Sequence, residues 1–404
     1  MPVKHFLLHT KMDHLYIIIE YLFWTGLFII FYTYLGYGIL LYIMVRIKEL
    51  FFKPSPPTLP DPLPEVTLFI AAYNEEDIVA SKMVNCHALS YPADKLKIVW
   101  VTDGSNDRTN EYLKKYEDVT VLFQPERRGK TAALNRGIQY VTTPYVVFTD
   151  ANTMLNTDAI TEIVRQFSDP KVGCVAGEKR VETITAQGAT AGEGIYWKYE
   201  STLKALDYRL YSAVGAAGEL FAVRTELFEQ MPSDTLLDDF ILSLRIAQKG
   251  YKIAYCKEAY ATETASLNMK EEEKRKVRIA AGGLQSVWRL RSLFNIFRYG
   301  TLSFQFVSHR VLRWTITPIV LFLLIPLNII LTCTGEFTYI FLLLLQVIFY
   351  VMAYTGYSME QKNIRNKLLF IPYYFSFMNI NVIRGFFYLA GNKGNGAWEK
   401  AKRT

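Results

Sequence analysis

The chain has 404 residues, 51% of them hydrophobic and 15% aromatic, and carries a net charge of +7. Its four cysteines, Cys86, Cys174, Cys256 and Cys333, stand apart with no paired spacing, which excludes a disulfide framework and a cysteine zinc site and fits a reducing cytosol. The apolar residues crowd the two ends and leave a middle of soluble composition, which excludes a chain buried throughout in a membrane.

In chain order, Leu15 to Ile47 is the first apolar run, with Glu20 inside it. At about 1.5 Å per residue it makes about 50 Å of helix, one span plus an interfacial turn. It is too long for a cleaved signal peptide and lacks a small-residue cleavage site. Arg46, Lys48 and Lys53 close it, so the positive-inside rule places the middle of the chain in the cytoplasm. Lys53 to Pro64, with six prolines, is a stiff linker.

From Val66 onward strand-like and helix-like stretches alternate. Val66 to Ala71 predicts a strand, followed by the polar turn Tyr73-Asn74-Glu75-Glu76 and a helix to about Leu89. Leu96 to Val101 is the next strand, then Asp103-Gly104-Ser105 and a helix to Tyr116; Val119 to Phe123, a helix over Lys130 to Tyr140, and a strand over Tyr145 to Phe148 follow. This order implies an α/β domain, a mainly parallel sheet with helices on both faces. Ligands of such sheets bind at strand carboxyl ends, and Asn74, Glu75, Asp103, Asp150 and Asn152 all fall there, on one rim. Any one of them is an ordinary loop residue; three sets on one rim point to a site. Asp150 and Asn152 are one residue apart, so strand alternation would aim both oxygens at one hard cation, Mg²⁺ or Mn²⁺.

No G-x-G-x-x-G follows a strand. Gly129-Lys130-Thr131 imitates the end of a P-loop, but Gln124 occupies the position of the earlier glycine. Lys130 still offers a point charge to a diphosphate. Gly215-Ala216-Ala217-Gly218-Glu219-Leu220 is either a tight turn or a close backbone approach to a ligand. Asp238-Asp239 opens a helical run, Phe240 to Lys249. One acid suffices as a cap, and a second at a site mouth suits a general base. Lys274 to Arg313 gathers basic residues among Leu, Val, Phe and Trp and reads as a helix on anionic lipid headgroups; flanking spans argue against nucleic acid. Val311 to Thr332 and Phe337 to Tyr354 read as spans. Leu368 to Ala390 is interrupted by Asn379, Asn381 and Arg384. Either this third run lies partly in the interface, or the basic tail (Lys393, Lys400, Lys402, Arg403) breaks the charge rule.

The ordered series Ala72-Tyr73-Asn74-Glu75-Glu76, Val101-Thr102-Asp103-Gly104-Ser105-Asn106-Asp107, Arg128-Gly129-Lys130 with Ala133-Leu134-Asn135, Thr149-Asp150-Ala151-Asn152 and Leu237-Asp238-Asp239 resembles the membrane-embedded family-2 glycosyltransferases, among them the cellulose, hyaluronan and poly-N-acetylglucosamine synthases. The resemblance covers Val66 to Arg291. It implies a GT-A fold, a nucleotide-sugar donor of the UDP type, and inverting transfer under Mg²⁺ or Mn²⁺ at the bacterial cytoplasmic membrane. Tyr73 and Glu75 would line the nucleoside pocket, Asp103 would bond the base and Lys130 would meet the diphosphate. Asp150, with Asn152, would hold the metal; Asp239 would be the base, with Asp238 and Arg278 beside it; Gly218 and Glu219 would face the acceptor.

Three departures stand out. Asn152 replaces a second Asp, and Leu237-Asp238 replaces Thr-Glu. The Gln-x-x-Arg-Trp motif reads Arg275-Lys276-Val277-Arg278-Ile279, so the stacking Trp is absent, with Trp288 as a substitute or an interface anchor. The acceptor would be a growing polysaccharide, with a membrane lipid glycosylated once as the alternative and a non-catalytic export subunit as a third. The expected organisation is a span within residues 1–50, a linker at 51–65, the GT-A domain at 66–270, interface helices at 271–310, spans at 311–391 and a basic tail at 392–404.

Overall fold

The computed structural model describes residues 2–53, 55–182, 189–264, 269–362, 364 and 366–391. The basic tail at 392–404 lies outside them. The described residues divide into two compact units, one of 41–182, 198–306 and 385–391, the other of 2–40, 189–197 and 307–384.

The first unit is built on an eight-stranded sheet: β1 Val66–Ala72, β2 Leu96–Asp103, β3 Val119–Gln124, β4 Tyr145–Asp150, β5 Met154–Leu155, β6 Val172–Glu182, β7 Leu220–Arg224 and β8 Lys252–Thr264. The order across the sheet is β3-β2-β1-β4-β7-β6-β8-β5. β1, β2, β3 and β4 are parallel, β7 runs antiparallel between β4 and β6, and β6 and β8 are again parallel. The structure has the mixed, mostly parallel sheet with flanking helices that the GT-A expectation called for. β1 is buried along nearly its whole length, as a central strand with helices on both faces must be. One face packs Leu68, Ile70 and Trp100 against Val79, Met83 and Ile163. On the other, Phe148 lies between Phe69 and Phe221, with ring centroids 5.1 and 4.8 Å apart.

The register sets the rim. Ala71 pairs with Asp150 and Ala72 with Thr102, so the carboxyl ends of β1, β2 and β4 finish level. β5 to β8 carry no strong period in the sequence. β6 and β8 mix small and charged residues, and β7 follows directly on the glycine-rich stretch at 215–220.

The helix Asp238–Gln248 starts with both acids inside its first turn and Leu237 as the flanking residue, so neither acid occupies the capping position itself. The basic stretch 274–313 is not one helix. It is broken into Met269–Arg289, Arg291–Phe294, Ile296–Tyr299, Thr301–Phe306 and further short turns. Its first segment belongs to the sheet unit and buries Ala280, Ala281 and Ser286.

The apolar helix His14–Phe51 and the helix Phe337–Gln361 are long and apolar enough to cross a membrane, with mean hydropathies of 1.9 and 2.0. Thr301–Trp314 and Ile316–Thr332 meet at a 50° bend and make a third candidate if counted as one span. Lys367–Ala390 is helical but carries the polar interruptions read from the sequence. Glu20 accepts a hydrogen bond from the Tyr339 hydroxyl at 2.6 Å, which satisfies a charge inside an apolar run.

Candidate active site

Lys130 is the hub. It opens the helix Lys130–Gly137, and its ammonium lies 2.6 Å from Asp150 Oδ1 and 4.0 Å from Asp238 Oδ2. A Cβ on Gly218 would lie 3.2 Å from Lys130 Nζ and 3.5 Å from Asp239 Oδ2, so this glycine lets the backbone approach both charges. Gly215 has φ +88°, and a Cβ there would meet the Phe240 ring at 2.2 Å. The stretch 215–220 therefore turns at Gly215 and brings the Gly218 backbone close to two charged side chains. Gly218→Ala is expected to fold normally and to lower turnover about tenfold, because the added methyl displaces Lys130 or Asp239 from a tight site; unchanged turnover by nucleotide release would show that the approach has no catalytic consequence.

The electrostatics separate the two acids. Burial drives the Asp239 carboxyl up to about 7, the adjacent Asp238 adds to the rise, and Lys130 opposes it. For Lys130 burial works against the charge, but Asp150 and Asp238 outweigh it and hold the ammonium above its ordinary range. Burial lowers Arg278, while Asp150, Asp238 and Asp239 act to raise it; a second cation thus feels the same three carboxylates as Lys130. Lys130, Asp150, Asp238, Asp239, Gly218 and Arg278, distant in sequence, form one cluster.

The loop that delivers Asp239 is held from two sides. Thr131 Oγ1 donates to the Thr235 carbonyl at 3.0 Å, and Asn135 exchanges two hydrogen bonds with the backbone of Met231. From the helix Met269–Arg289, Gln285 Oε1 accepts from the Leu236 amide, and Arg289 donates to Thr235 Oγ1 and Asp234 Oδ2, each at 2.7 Å. Gln285 and Arg289 have no signal in the sequence, because their partners are backbone and loop atoms about fifty positions away.

At the β1 and β2 ends, the Asp103 carboxylate accepts from the amides of Arg128 at 3.1 Å and Gly129 at 2.6 Å. In this structure it fastens the loop before Lys130. The Arg127 guanidinium lies 3.8 Å over the Tyr73 ring. Glu75 is buried, and its amide donates to Thr109 Oγ1 at 2.8 Å.

Two expectations need correction. β4 ends at Asp150, and Ala151-Asn152 form a turn whose Thr153 hydroxyl donates to the Asp150 carbonyl at 2.9 Å. Strand alternation therefore does not aim Asp150 and Asn152 together; a turn carries Asn152. Beneath that turn is a fully buried lysine that the sequence reading missed. Lys82 donates to the Thr153 carbonyl at 2.5 Å, and burial pushes its pKa down to about 8.

Glu219 is the second correction. Its carboxylate pairs with Lys179, which also pairs with Glu263, while Arg275 reaches Glu263 at 3.1 Å and Glu219 at 3.7 Å. Glu219 thus belongs to a buried ion cluster, not to an open acceptor face. Burial opposes its ionisation, but Lys179 and Arg275 outweigh that and hold it below the usual carboxylate range. Glu263 is 2% exposed. Glu263→Ala is expected to cost about 3 kcal/mol by leaving buried cations under-compensated; a thermal midpoint in micelles equal to that of the parent would contradict this. Trp288 does not take the place of the missing motif Trp. It stands ten residues, about 15 Å, beyond Arg278 along the helix, is 69% exposed, and lies under Arg291.

The donor set suits a hard divalent cation that takes most of its ligands from phosphate. Asp150 supplies a half-buried carboxylate and Asn152 an amide oxygen close in sequence. Among the described residues no three His, Cys, Asp or Glu side chains form a ready-made metal site.

The mixed, mostly parallel sheet with flanking helices that carries this rim is the GT-A glycosyltransferase fold. Residues 64–282 match the family described as glycosyltransferase like family 2, and the chain belongs to it. Similar relatives include the poly-beta-1,6-N-acetyl-D-glucosamine synthases of Staphylococcus aureus (strain MSSA476), 29% identical over 250 residues, and of Staphylococcus epidermidis, 26% identical over 335 residues. The first match spans 59% of this chain and 58% of the relative; the second spans 76% and 79%. Among solved structures, the mannosyltransferase PcManGT from Pyrobaculum calidifontis, in complex with GDP-Man and Mn²⁺, superposes with a TM-score of 0.70 at 21% identity, covering 92% of this chain and 99% of that one.

Proposed function

We propose that this glycosyltransferase moves a sugar from a UDP-sugar onto a growing polysaccharide, with inversion, at the cytoplasmic face of a bacterial cytoplasmic membrane. The observation that carries the reading is Asp239. It is a carboxyl lifted to about 7, on the same side of Gly218 as a lysine that is paired to the candidate metal ligand, both within reach of a Cβ built on that glycine. A base of that pKa accepts a proton from an acceptor hydroxyl near neutral pH. The names of the sequence relatives support a polysaccharide product, and the two to three candidate spans support a membrane setting.

In this reading Asp239 takes the proton as the acceptor oxygen attacks the anomeric carbon. The bond to the departing diphosphate breaks on the opposite face, and no covalent sugar–protein bond forms. Lys130 and Arg278 supply positive charge beside the leaving group. Asp150, with Asn152 in support, would hold Mg²⁺ or Mn²⁺, which supplies charge neutralisation to the diphosphate. Tyr73 and Glu75 are assigned to the nucleoside, while Asp103 sets the loop that presents Lys130. Asp238 remains within the cluster as the charge that keeps Asp239 basic.

One observation favours a second acceptor. Ile279 stands where a stacking Trp would hold a polymer end, which suits a membrane lipid glycosylated once. Incubation with UDP-linked and GDP-linked sugars under each cation, followed by measurement of released nucleotide and product size, separates the readings. Long chains support the polymer, a single glycolipid supports the lipid, and no nucleotide release from any donor would overturn both.

A further inference from the structure

We propose that Lys82 is a positioning residue for sugar transfer: from beneath the sheet rim it fixes the turn that carries Asp150 and Asn152, and with it the grip on the cation. The inference rests on the reading of Asp150 as a cation ligand. Lys82 lies on the helix Val79–His87, which follows β1 in the chain, and is fully buried beside Val79 and Met83 of the apolar core. Its ammonium donates to two neutral oxygens, the Thr153 carbonyl at 2.5 Å and Thr149 Oγ1 at 3.4 Å. A buried cation held by neutral partners is costly, and a methionine of similar volume would fill the space without burying a charge. A core rule broken directly below the candidate cation ligand points to function rather than to stability.

The network around Lys82 shows what the charge holds. Thr149 and Thr153 are both buried, and each hydroxyl has one proton to give. Thr149 Oγ1 donates to the Glu219 carbonyl and Thr153 Oγ1 to the Asp150 carbonyl, both at 2.9 Å. With those protons committed, the Thr153 carbonyl and the Thr149 oxygen still accept, and Lys82 serves both. An ammonium with three donors spans two acceptors at once, which an apolar side chain cannot do. The network therefore reaches two walls of the site. One is the turn after Asp150; the other is the Gly218-Glu219 backbone, which approaches Lys130 and Asp239.

The same helix fastens the chain beyond the turn. Asn85 exchanges two hydrogen bonds with the Leu155 backbone, at 2.7 and 2.8 Å. Lys82 and Asn85 are three residues apart and so share a helix face. That face holds the segment from Thr149 to Leu155 from below, and contacts that orient a metal-binding carboxylate set its affinity for the ion.

The full chain in neutral detergent is compared with Lys82→Met, Thr153→Val and Thr153→Ser. Mn²⁺ binding, alone and with UDP or GDP, is followed by electron paramagnetic resonance. Nucleotide release is measured over a range of Mn²⁺ concentrations, and thermal midpoints monitor folding. Lys82→Met is expected to weaken Mn²⁺ binding about 10- to 100-fold and to raise the Mn²⁺ concentration for half-maximal turnover in step. Thr153→Val is expected to shift both by about threefold to tenfold in the same direction. Thr153→Ser keeps the hydroxyl and should recover most of that shift. A role in packing alone would change the amount of folded enzyme and leave both Mn²⁺ dependences where they are. If the parent binds Mn²⁺ and folded Lys82→Met binds it equally, or loses turnover at unchanged Mn²⁺ affinity, the inference is overturned and the cation reading stands. A parent that binds no Mn²⁺ under any of these conditions overturns both. Should Lys82→Met not fold, the Thr153 pair decides: equal Mn²⁺ affinity in the valine and serine variants overturns the network.

Discussion

Asp239→Asn is expected to lower turnover by about 10²- to 10⁴-fold, the contribution of a positioned general base, while nucleotide-sugar affinity stays within about twofold of the parent because the amide keeps the shape of the side chain. The sign of the pH dependence follows from the raised pKa. A base acts when deprotonated, and this carboxyl loses its proton through about 7. Below that pH Asp239 is protonated and transfer slows; above it the rate reaches a plateau. kcat/KM for the acceptor should therefore rise tenfold per pH unit on the acid side, with a midpoint near 7. Asp238→Asn should move that midpoint down, since the neighbouring charge helps to keep Asp239 protonated. Turnover retained in Asp239→Asn, or an acid limb that persists there, would remove Asp239 from the role of base.

Asp150→Ala carries the second large effect. It removes the carboxylate nearest Lys130 and the charged oxygen of the candidate cation site, leaving Asp238 at 4.0 Å as the other acid in contact range. Turnover should fall by about 10²- to 10³-fold, the scale of several kcal/mol of lost charge stabilisation. Mn²⁺ binding followed by electron paramagnetic resonance should weaken in parallel. Asn152→Ala should cost far less, because a neutral amide contributes a ligand without charge. If Asp150→Ala retained both Mn²⁺ binding and turnover, the cation would have to be held elsewhere.

The parallel half of the sheet was legible from the sequence because its strands are continuous apolar runs, each ending at a polar turn. Asp103 and Asp150 could be nominated from where those runs stop, and Lys130 from the P-loop-like Gly129-Lys130-Thr131. β5 to β8 were not legible, since β6 and β8 owe their place to pairing with each other and with β7, not to a period of their own. Lys82, Gln285 and Arg289 were invisible for a related reason. Each acts on backbone or loop atoms supplied by a distant segment, so no spacing announces it.

What the sequence determined by itself is the inventory: which strands end in acids, which residues depart from the family pattern, and where the apolar ends lie. These are local properties, set by periodicity and composition. Only the tertiary structure decided what each charge does. It paired Lys130 with Asp150, turned Glu219 into a buried cluster with Lys179, Glu263 and Arg275, and moved Asn152 off the strand into a turn. It also raised Asp239 while Glu219 stayed ionised. The physical reason is that a carboxylate's pKa depends on its burial and on the charges within a few ångströms. In this chain most of those neighbours are supplied by distant segments and brought together by one sheet rim.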